Sequence, residues 1–444
     1  MYVRTDSNMY KELDSSSLGS LIKKGSKVDI LGYDYLNSDG SVNMYKISYN
    51  SEEGYFYSKY LLDNEEDAKK RYNADTFSNN KNLYGGGTIK GLDFYPNEKP
   101  KFEDNVMPDN VYSLYLNCGV LDNIDEYIKY AKTTKINAFV VDIMDDTSIG
   151  YESPVMKEYS KTSYKHAINS LEKYQKAIKK IKDNGFYVIG RMTTFKDSYY
   201  AKDHKEDAIK DNKGNLLNHQ NAYWPTAYSR NVWEYKIALA KEAVELMGFN
   251  EIQFDYVRFP DGLGSRESLG TVEYTNTYSE TKAQAIQRFL MYATNELHKL
   301  NVYVSADVFG ECSWHYVTSY GQYWPAISNV VDVISAMPYT DHFGEGYAGK
   351  SDPWNYPYNT MLAWAQTASD DQKITPSPAI ARTWITAYDT PYWNVTTYYN
   401  GDEISDQVKA LYYYGLNGGY MTWNASSSLS KYKMQKSGYS KEYK

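Results

Sequence analysis

Two cysteines, Cys118 and Cys312, are all that the 444 residues contain. At most one disulfide could form, and no spacing of the zinc-gripping kind occurs, so both are read as free, small core residues. No run of about 18 apolar residues exists, so no membrane span is expected. Positive charge is short as well. Lys and Arg number 48 against 56 Asp and Glu, for a formal net charge of −8, and no basic stripe stands out. That excludes the electrostatic footprint of a nucleic-acid binder. The six histidines are scattered, and no nucleophilic Ser or Cys elbow appears. Gly85-Gly86-Gly87 follows no strand and precedes no Lys-Ser/Thr, so it is not a phosphate loop. Neither a metal nor a cofactor is expected. No signal peptide opens the chain, which fits a mature form.

Tyrosine is plentiful: 49 Tyr and 9 Trp. A compositional bias toward Tyr, Asn, Lys and Ile explains part of this. Sugar binding explains the rest, because flat rings stack on pyranose faces while a phenol or indole adds a hydrogen bond.

The chain divides by pattern. Residues 1–62 hold short alternating runs punctuated by Lys24-Gly25, Asp39-Gly40 and Glu53-Gly54, as in a small meandering β barrel. Residues 63–88, acidic and then Asn-rich, read as a linker. From residue 89 to 436 strands alternate with amphipathic helices. Strands are expected at Val111–Asn117, Ile136–Asp142, Phe186–Met192, Glu251–Tyr256, Val302–Val308, Val331–Met337, Ile374–Ala379 and Gly419–Trp423. Helices fall at Asp122–Thr133, Asn169–Asn184, Ser229–Met247, Glu280–Leu300, Tyr358–Ala368 and Ser405–Gly415, with Gly185 and Gly248 at helix ends. Eight βα units predict an α/β fold, a (β/α)8 TIM barrel with loop insertions. Ile89–Tyr95 is read as an extra lead-in strand.

In such a barrel, function gathers at the C-terminal strand ends. Ile252, Phe254 and Tyr256 alternate with Gln253 and Asp255; Val302, Val304 and Ala306 alternate with Tyr303, Ser305 and Asp307. Two adjacent strands thus end in inward carboxylates. Carboxylates and aromatics without metal or nucleophilic Ser are what glycoside hydrolysis requires: one acid protonates the departing oxygen, and another carboxylate traps or stabilises the oxocarbenium-like carbon. Neighbouring strands run about 4.8 Å apart, which favours the short separation of a retaining pair. Asp255 is assigned as nucleophile, held ionised by Arg191 and Arg258, and Asp307 as general acid, with Glu311 as the alternative acid. The competing reading makes Asp255 and Asp307 buried ion pairs that only hold the barrel together. Asp142 is a hydroxyl contact or a barrel ion pair. Tyr339, His342 and Trp423 complete the expected substrate-binding set with Arg191, Arg258 and Glu311. Rim loops 196–228, with Trp224, and 341–357, with Trp354, are expected to build subsites.

Two resemblances add to this. Tyr2-Val3-Arg4-Thr5, Leu21–Ile30, Gly54-Tyr55-Phe56 and Tyr60-Leu61 resemble the bacterial SH3 domain, which implies a module targeting peptidoglycan or another cell-wall ligand. A spacer or a cover for the barrel is the plainer reading. Ile136–Asp146, Tyr187–Asp197, Ser229–Pro260, Ser305–Gly310, Val331–Tyr339 and Gly419–Asn424 resemble a bacterial family of glycoside-hydrolase-like barrels long catalogued as a domain of unknown function. That family's relatives cleave α-linked glycans with an Asp nucleophile at the end of the fourth strand, the place of Asp255. The chain departs from the family at Met144, where a Lys is usual, and in the seventh strand, which lacks a Trp-Leu-Gln stretch. The expectation is a secreted or wall-associated hydrolase of a bacterial cell-wall or surface polysaccharide. A non-catalytic glycan-binding barrel and a transglycosylase using the same acids are the alternatives.

Overall fold

The structure, a computed structural model, describes residues 1–37, 39–70, 86–392 and 395–444. Its centre is a parallel sheet of β1 (Val111–Leu116), β2 (Ala138–Asp145), β3 (Tyr187–Thr193), β4 (Glu251–Asp255), β5 (Tyr303–Phe309), β6 (Val333–Met337), β7 (Thr383–Thr386) and β8 (Gly419–Trp423). Hydrogen-bonded neighbours run from β6 down to β1, then to β8 and β7. Ile380–Ala381 pairs with the open side of β6. This short piece and β7 are one strand interrupted at Arg382, whose own N–H donates to Ile334 O at 3.0 Å. A single segment therefore bonds both ends of the row, and the sheet closes into a barrel.

The alternation read from the sequence sorts side chains between two cores. Phe139, Val141, Val188, Ile252, Phe254, Val304 and Ala306 face outward into a large helix-covered cluster. Tyr115, Val140, Tyr187, Ile189, Tyr303, Trp384 and Met421 fill the interior. The outer helices are α1 (Ile124–Ala131), α2 (Leu171–Asp183), α3 (Arg230–Met247), α4 (Lys282–His298), α5 (Trp324–Ser328), α6 (Pro357–Ile374) and α7 (Gly401–Tyr413). Ser229 caps α3, and Gly248 ends it at φ 68°. Gly419 opens β8 at φ +98°, where a Cβ would strike Val111 O at 2.0 Å.

Two sequence expectations are corrected. The seventh strand is not Ile374–Ala379. Helix α6 runs on to Ile374, and Pro376 and Pro378 lack the N–H groups a central strand must donate, so pairing begins at Ile380. Arg382 therefore lies low in the barrel rather than at the mouth, with Nη1 on both oxygens of Glu251 at 2.9 and 2.8 Å. Ile89–Tyr95 forms no strand. Ile89, Leu92 and Phe94 pack against Ala283, Val317 and Tyr323, and Gln287 bonds the Asp93 backbone on both sides at 2.7 Å. Within the expected linker, Glu65–Lys69 is a short helix capped by Asn64. Residues 71–85, including the Asn-rich stretch and Gly85, lie outside the described residues. Among the described residues no helix is long and apolar enough to cross a membrane.

Residues 1–62 form antiparallel sheets. Leu18–Ile22, Ser7–Tyr10, Glu52–Tyr57, Val42–Tyr49 and Asp29–Leu36 lie side by side in that order, and Tyr2–Val3 pairs with Leu61–Leu62. This unit rests on α3 and α4 through buried charge. Arg288 gives Nη2 to Asp6 and Nη1 to Glu280, both at 2.6 Å. Arg230 holds Glu280 from the other side at 2.8 and 2.7 Å and reaches Asn8 at 3.1 Å. Removing one partner of a buried ion pair leaves the other charge desolvated, at a cost of about 3 kcal/mol or more. Arg288→Ala is therefore expected to lower unfolding stability by about 3 kcal/mol in urea titrations. Arg288→Lys should recover part of the loss.

Candidate active site

Arg191, from the middle of β3, occupies the centre of the barrel's C-terminal end at 1% exposure. Its register neighbours are Asp142 on β2 and Gln253 on β4. Nη1 donates to Asp142 Oδ1 at 2.7 Å, Nε donates to Asp255 Oδ2 at 3.0 Å, and Nη2 donates to the same oxygen. Asp307 Oδ2 lies 3.9 Å from Nε, and Asp145 Oδ2, at the rim, lies 3.7 Å from Nη1. The guanidinium also stands 5.3 Å from the Trp423 ring centre and 5.7 Å from that of Tyr115.

Asp255 accepts on both oxygens. Besides Arg191 on Oδ2, its Oδ1 takes the N–H of Tyr256 at 2.6 Å. Tyr256 has φ 47°, a left-handed conformation in a bulky residue right after the strand end. Such strain persists only where surrounding structure imposes it, and it concentrates at functional sites. Asp307 is treated differently. Its Oδ1 accepts Trp384 Nε1–H at 2.8 Å, while its Oδ2 is buried with no hydrogen-bond partner. Burial first, then the Asp255 charge, push its carboxyl well above the usual carboxylate range, against the opposing pull of Arg191 and Trp384. Since one nitrogen lies 3.0 Å from Asp255 Oδ2 and 3.9 Å from Asp307 Oδ2, those oxygens are no further apart than the two distances combined.

Burial likewise raises the Asp142 carboxyl, to about 7, with Arg191 opposing. Tyr115 donates its hydroxyl to Asp142 Oδ2. Tyr339, buried after β6, stacks on Trp423 with ring centres 6.3 Å apart, and Trp423 keeps part of its surface exposed. Arg191, Asp142, Asp255, Asp307, Tyr339 and Trp423 are thus brought together. Three expected members stand apart. Arg258 turns to Asp261 Oδ1 at 2.9 Å and to Phe259 O at 3.0 Å, not to Asp255, within a cage of the Trp224, Tyr256, Phe309 and Tyr320 rings. Glu311 sits on the turn beyond β5 and accepts Tyr316 and Tyr320 hydroxyls at 2.5 and 2.9 Å. His342 is exposed at the rim, edge-on to Tyr339. Trp224 is 1% exposed inside a rim cluster, and Trp354 is 8% exposed.

Sequence reasoning missed Tyr115 and Trp384. An inward aromatic in an alternating strand reads as core, so Tyr115 gave no separate signal. Trp384 was hidden by the displaced seventh strand. One histidine does lie beside two carboxylates: His204, Glu206 and Asp207 bring ligand-type atoms within 4.8 Å of one another. Asp207 already accepts Tyr200, Ser229 and Asn231, which occupies its lone pairs in the fold.

A carboxyl that holds its proton more tightly folded than unfolded stabilises fully below its unfolded value, about 4, and loses that share as pH rises through its folded value. For Asp142 the loss runs up to about pH 7. Asp142→Asn cannot ionise, so it is expected to flatten the fall of the thermal midpoint across that interval, as followed by calorimetry at four or five pH values.

A family model described as "Putative glycosyl hydrolase domain" matches residues 110–429. The glycoside hydrolase domain of PgaB (BpsB) from Bordetella bronchiseptica is 11% identical, covers 75% of this chain and 100% of its own, and has a TM-score of 0.50. A hypothetical protein from Ruminiclostridium thermocellum is 36% identical over 44% of this chain and 97% of its own, at a TM-score of 0.37. The spore cortex-lytic enzyme SleL of Bacillus cereus is 11% identical over 75% of each chain, at 0.42. No curated protein matches.

Proposed function

We propose a two-carboxylate mechanism from one premise: the chain belongs to the family described as "Putative glycosyl hydrolase domain" and is a glycoside hydrolase. Asp255 is the nucleophile and Asp307 the general acid and base. The observation that carries this is the unequal treatment of two neighbouring carboxyls around one guanidinium. Three N–H groups point at Asp255, as suits an ionised, acceptor-only carboxylate. Asp307 is pressed toward its protonated form by burial and by Asp255. An environment that raises one carboxyl while three N–H groups are aimed at its neighbour divides the acid and base roles.

Hydrolysis then proceeds in two steps. Asp307 gives its proton to the glycosidic oxygen as Asp255 attacks the anomeric carbon. A covalent glycosyl ester forms, and the departing sugar leaves as an alcohol. Water, losing a proton to Asp307, then releases the second sugar with net retention. The bound on the oxygen separation, below about 7 Å, favours direct attack over a path that must seat a water. Asp255 keeps 4% of its surface and Asp307 none, so sugar entry requires the rings beside them to move apart. Trp423 and Tyr339 supply the stacking floor once it opens.

The substrate in this reading is a bacterial wall or surface polysaccharide, and residues 1–62 are an SH3-like module that holds the barrel near it. The sequence matches of those residues and their antiparallel sheets support that part. The localisation is extracellular or cell-wall associated.

Purified full-length protein should release oligosaccharides from at least one member of a panel of bacterial wall and surface polysaccharides, detected by mass spectrometry. Asp255→Asn should reduce that release by at least about 1,000-fold with the fold intact. Loss on Glu311→Gln but not on Asp307→Asn would move the acid to Glu311. Transferred rather than shortened sugars would make the enzyme a transglycosylase.

A further inference from the structure

We propose that Trp384 is a positioning residue that selects which oxygen of the Asp307 carboxyl carries the transferable proton. This rests on the reading of Asp307 as the acid. The indole Nε1–H is a donor only. It points at Asp307 Oδ1 at 2.8 Å, so that oxygen is committed as an acceptor. A proton on Asp307 is therefore placed on Oδ2. That oxygen has no hydrogen-bond partner and lies on the Arg191 side, where Asp255 also sits. The proton is thus held on the side of the nucleophile, where a glycosidic oxygen must lie for attack and protonation to act on one bond.

The indole cannot easily turn away. Trp384 is 1% exposed, with the Trp423 ring at 5.7 Å and 88° and the Tyr115 ring at 6.1 Å and 72°. β7 fixes its backbone by pairing Trp384 with Met421 of β8. It then reaches past β6 to β5. Alternate strands share one interior layer of the barrel, which is what brings a β7 indole against a β5 carboxyl.

The charged and titratable groups facing Asp307 are Arg191 on β3, Asp255 and Glu251 on β4 and Tyr339 after β6. Trp384→Phe changes none of them. It removes the N–H that favours the carboxylate, together with the smaller ring of the indole, so Asp307 should hold its proton to higher pH.

The test has two arms, both on the full chain. In protein labelled with carboxyl-13C aspartate, the Asp307 resonance is assigned by its loss in Asp307→Asn. Its titration midpoint should move up by about one pH unit in Trp384→Phe. In the second arm, kcat on the polysaccharide that wild type degrades should fall about tenfold, with KM nearly unchanged. On the 2,4-dinitrophenyl glycoside of the released sugar, whose leaving group needs no proton, kcat/KM, which reports the glycosylation step, should be the same in Trp384→Phe as in wild type. Where Trp384→Phe fails to fold, replacement of Trp384 by the isosteric benzothienylalanine keeps the ring system and lacks the N–H. An unmoved Asp307 titration overturns the assignment, as does equal loss on both substrates. If wild type degrades nothing in the polysaccharide panel, the acid role of Asp307 fails on its own. The carbon titration still decides whether Trp384 controls that carboxyl.

Discussion

A guanidinium buried at 1% exposure has no option but to be paired, and Arg191 organises the barrel's upper end around that requirement. Asp142 and Asp255 supply its direct partners, and Asp145 and Asp307 lie just beyond. Because the four acids come from β2, β4, β5 and the rim, the arginine ties together strands that the sheet alone would hold only through backbone bonds. The aromatic shell follows from the same charge. Tyr115 satisfies Asp142, Trp384 satisfies Asp307, and both rings meet Trp423. Each ring does two tasks, filling the barrel mouth and supplying the one hydrogen bond that a buried oxygen needs.

Most of this was legible in the sequence where the period-2 signal was clean. The strands around Asp255 and Asp307 read correctly because apolar outward residues alternate with polar inward ones. That alternation fixes which side faces the barrel. Asp142 and Arg191, expected at strand ends, also meet at the barrel's upper end. The seventh strand failed because ITPSPA has the β-branched and apolar content of a strand, while its two prolines forbid the pairing. The cost of that misreading was Trp384. Arg258 failed for another reason. Closeness in sequence to Asp255 says nothing of direction once the chain turns at Tyr256, and Arg258 is carried outward to Asp261.

The seating of residues 1–62 on α3 and α4 could not be read beforehand either. Each partner, Asp6, Arg230, Glu280 and Arg288, looks in the sequence like an ordinary surface charge of a helix or turn. Only their convergence makes them a buried cluster, and convergence between distant segments leaves no local pattern. The arrangement bears on function, because α3 and α4 follow the strands that carry Arg191 and Asp255. A unit fastened to those helices by the Arg288–Asp6 ion pair and the Arg230–Asn8 hydrogen bond is part of the scaffold behind the site.

The barrel's two ends differ in a way that a mere fastening would not require. At the lower end, Arg382 and Glu251 are both fully buried and match one to one, with Tyr187 adding a hydroxyl at 3.1 Å. The middle layer is neutral, with Gln253 reaching Ser335 at 3.3 Å and Met421 at 3.2 Å. At the upper end one arginine faces Asp142, Asp255 and Asp307. Surplus negative charge in a low-dielectric interior is relieved by retaining a proton, and here the proton falls to the carboxyls that burial disfavours most. A barrel that needed only cohesion gains nothing from that surplus, since a balanced pair like the lower one serves better. Excess carboxylate with a proton to share is instead what the proposed mechanism requires, in which one group attacks a carbon while its neighbour protonates the leaving oxygen.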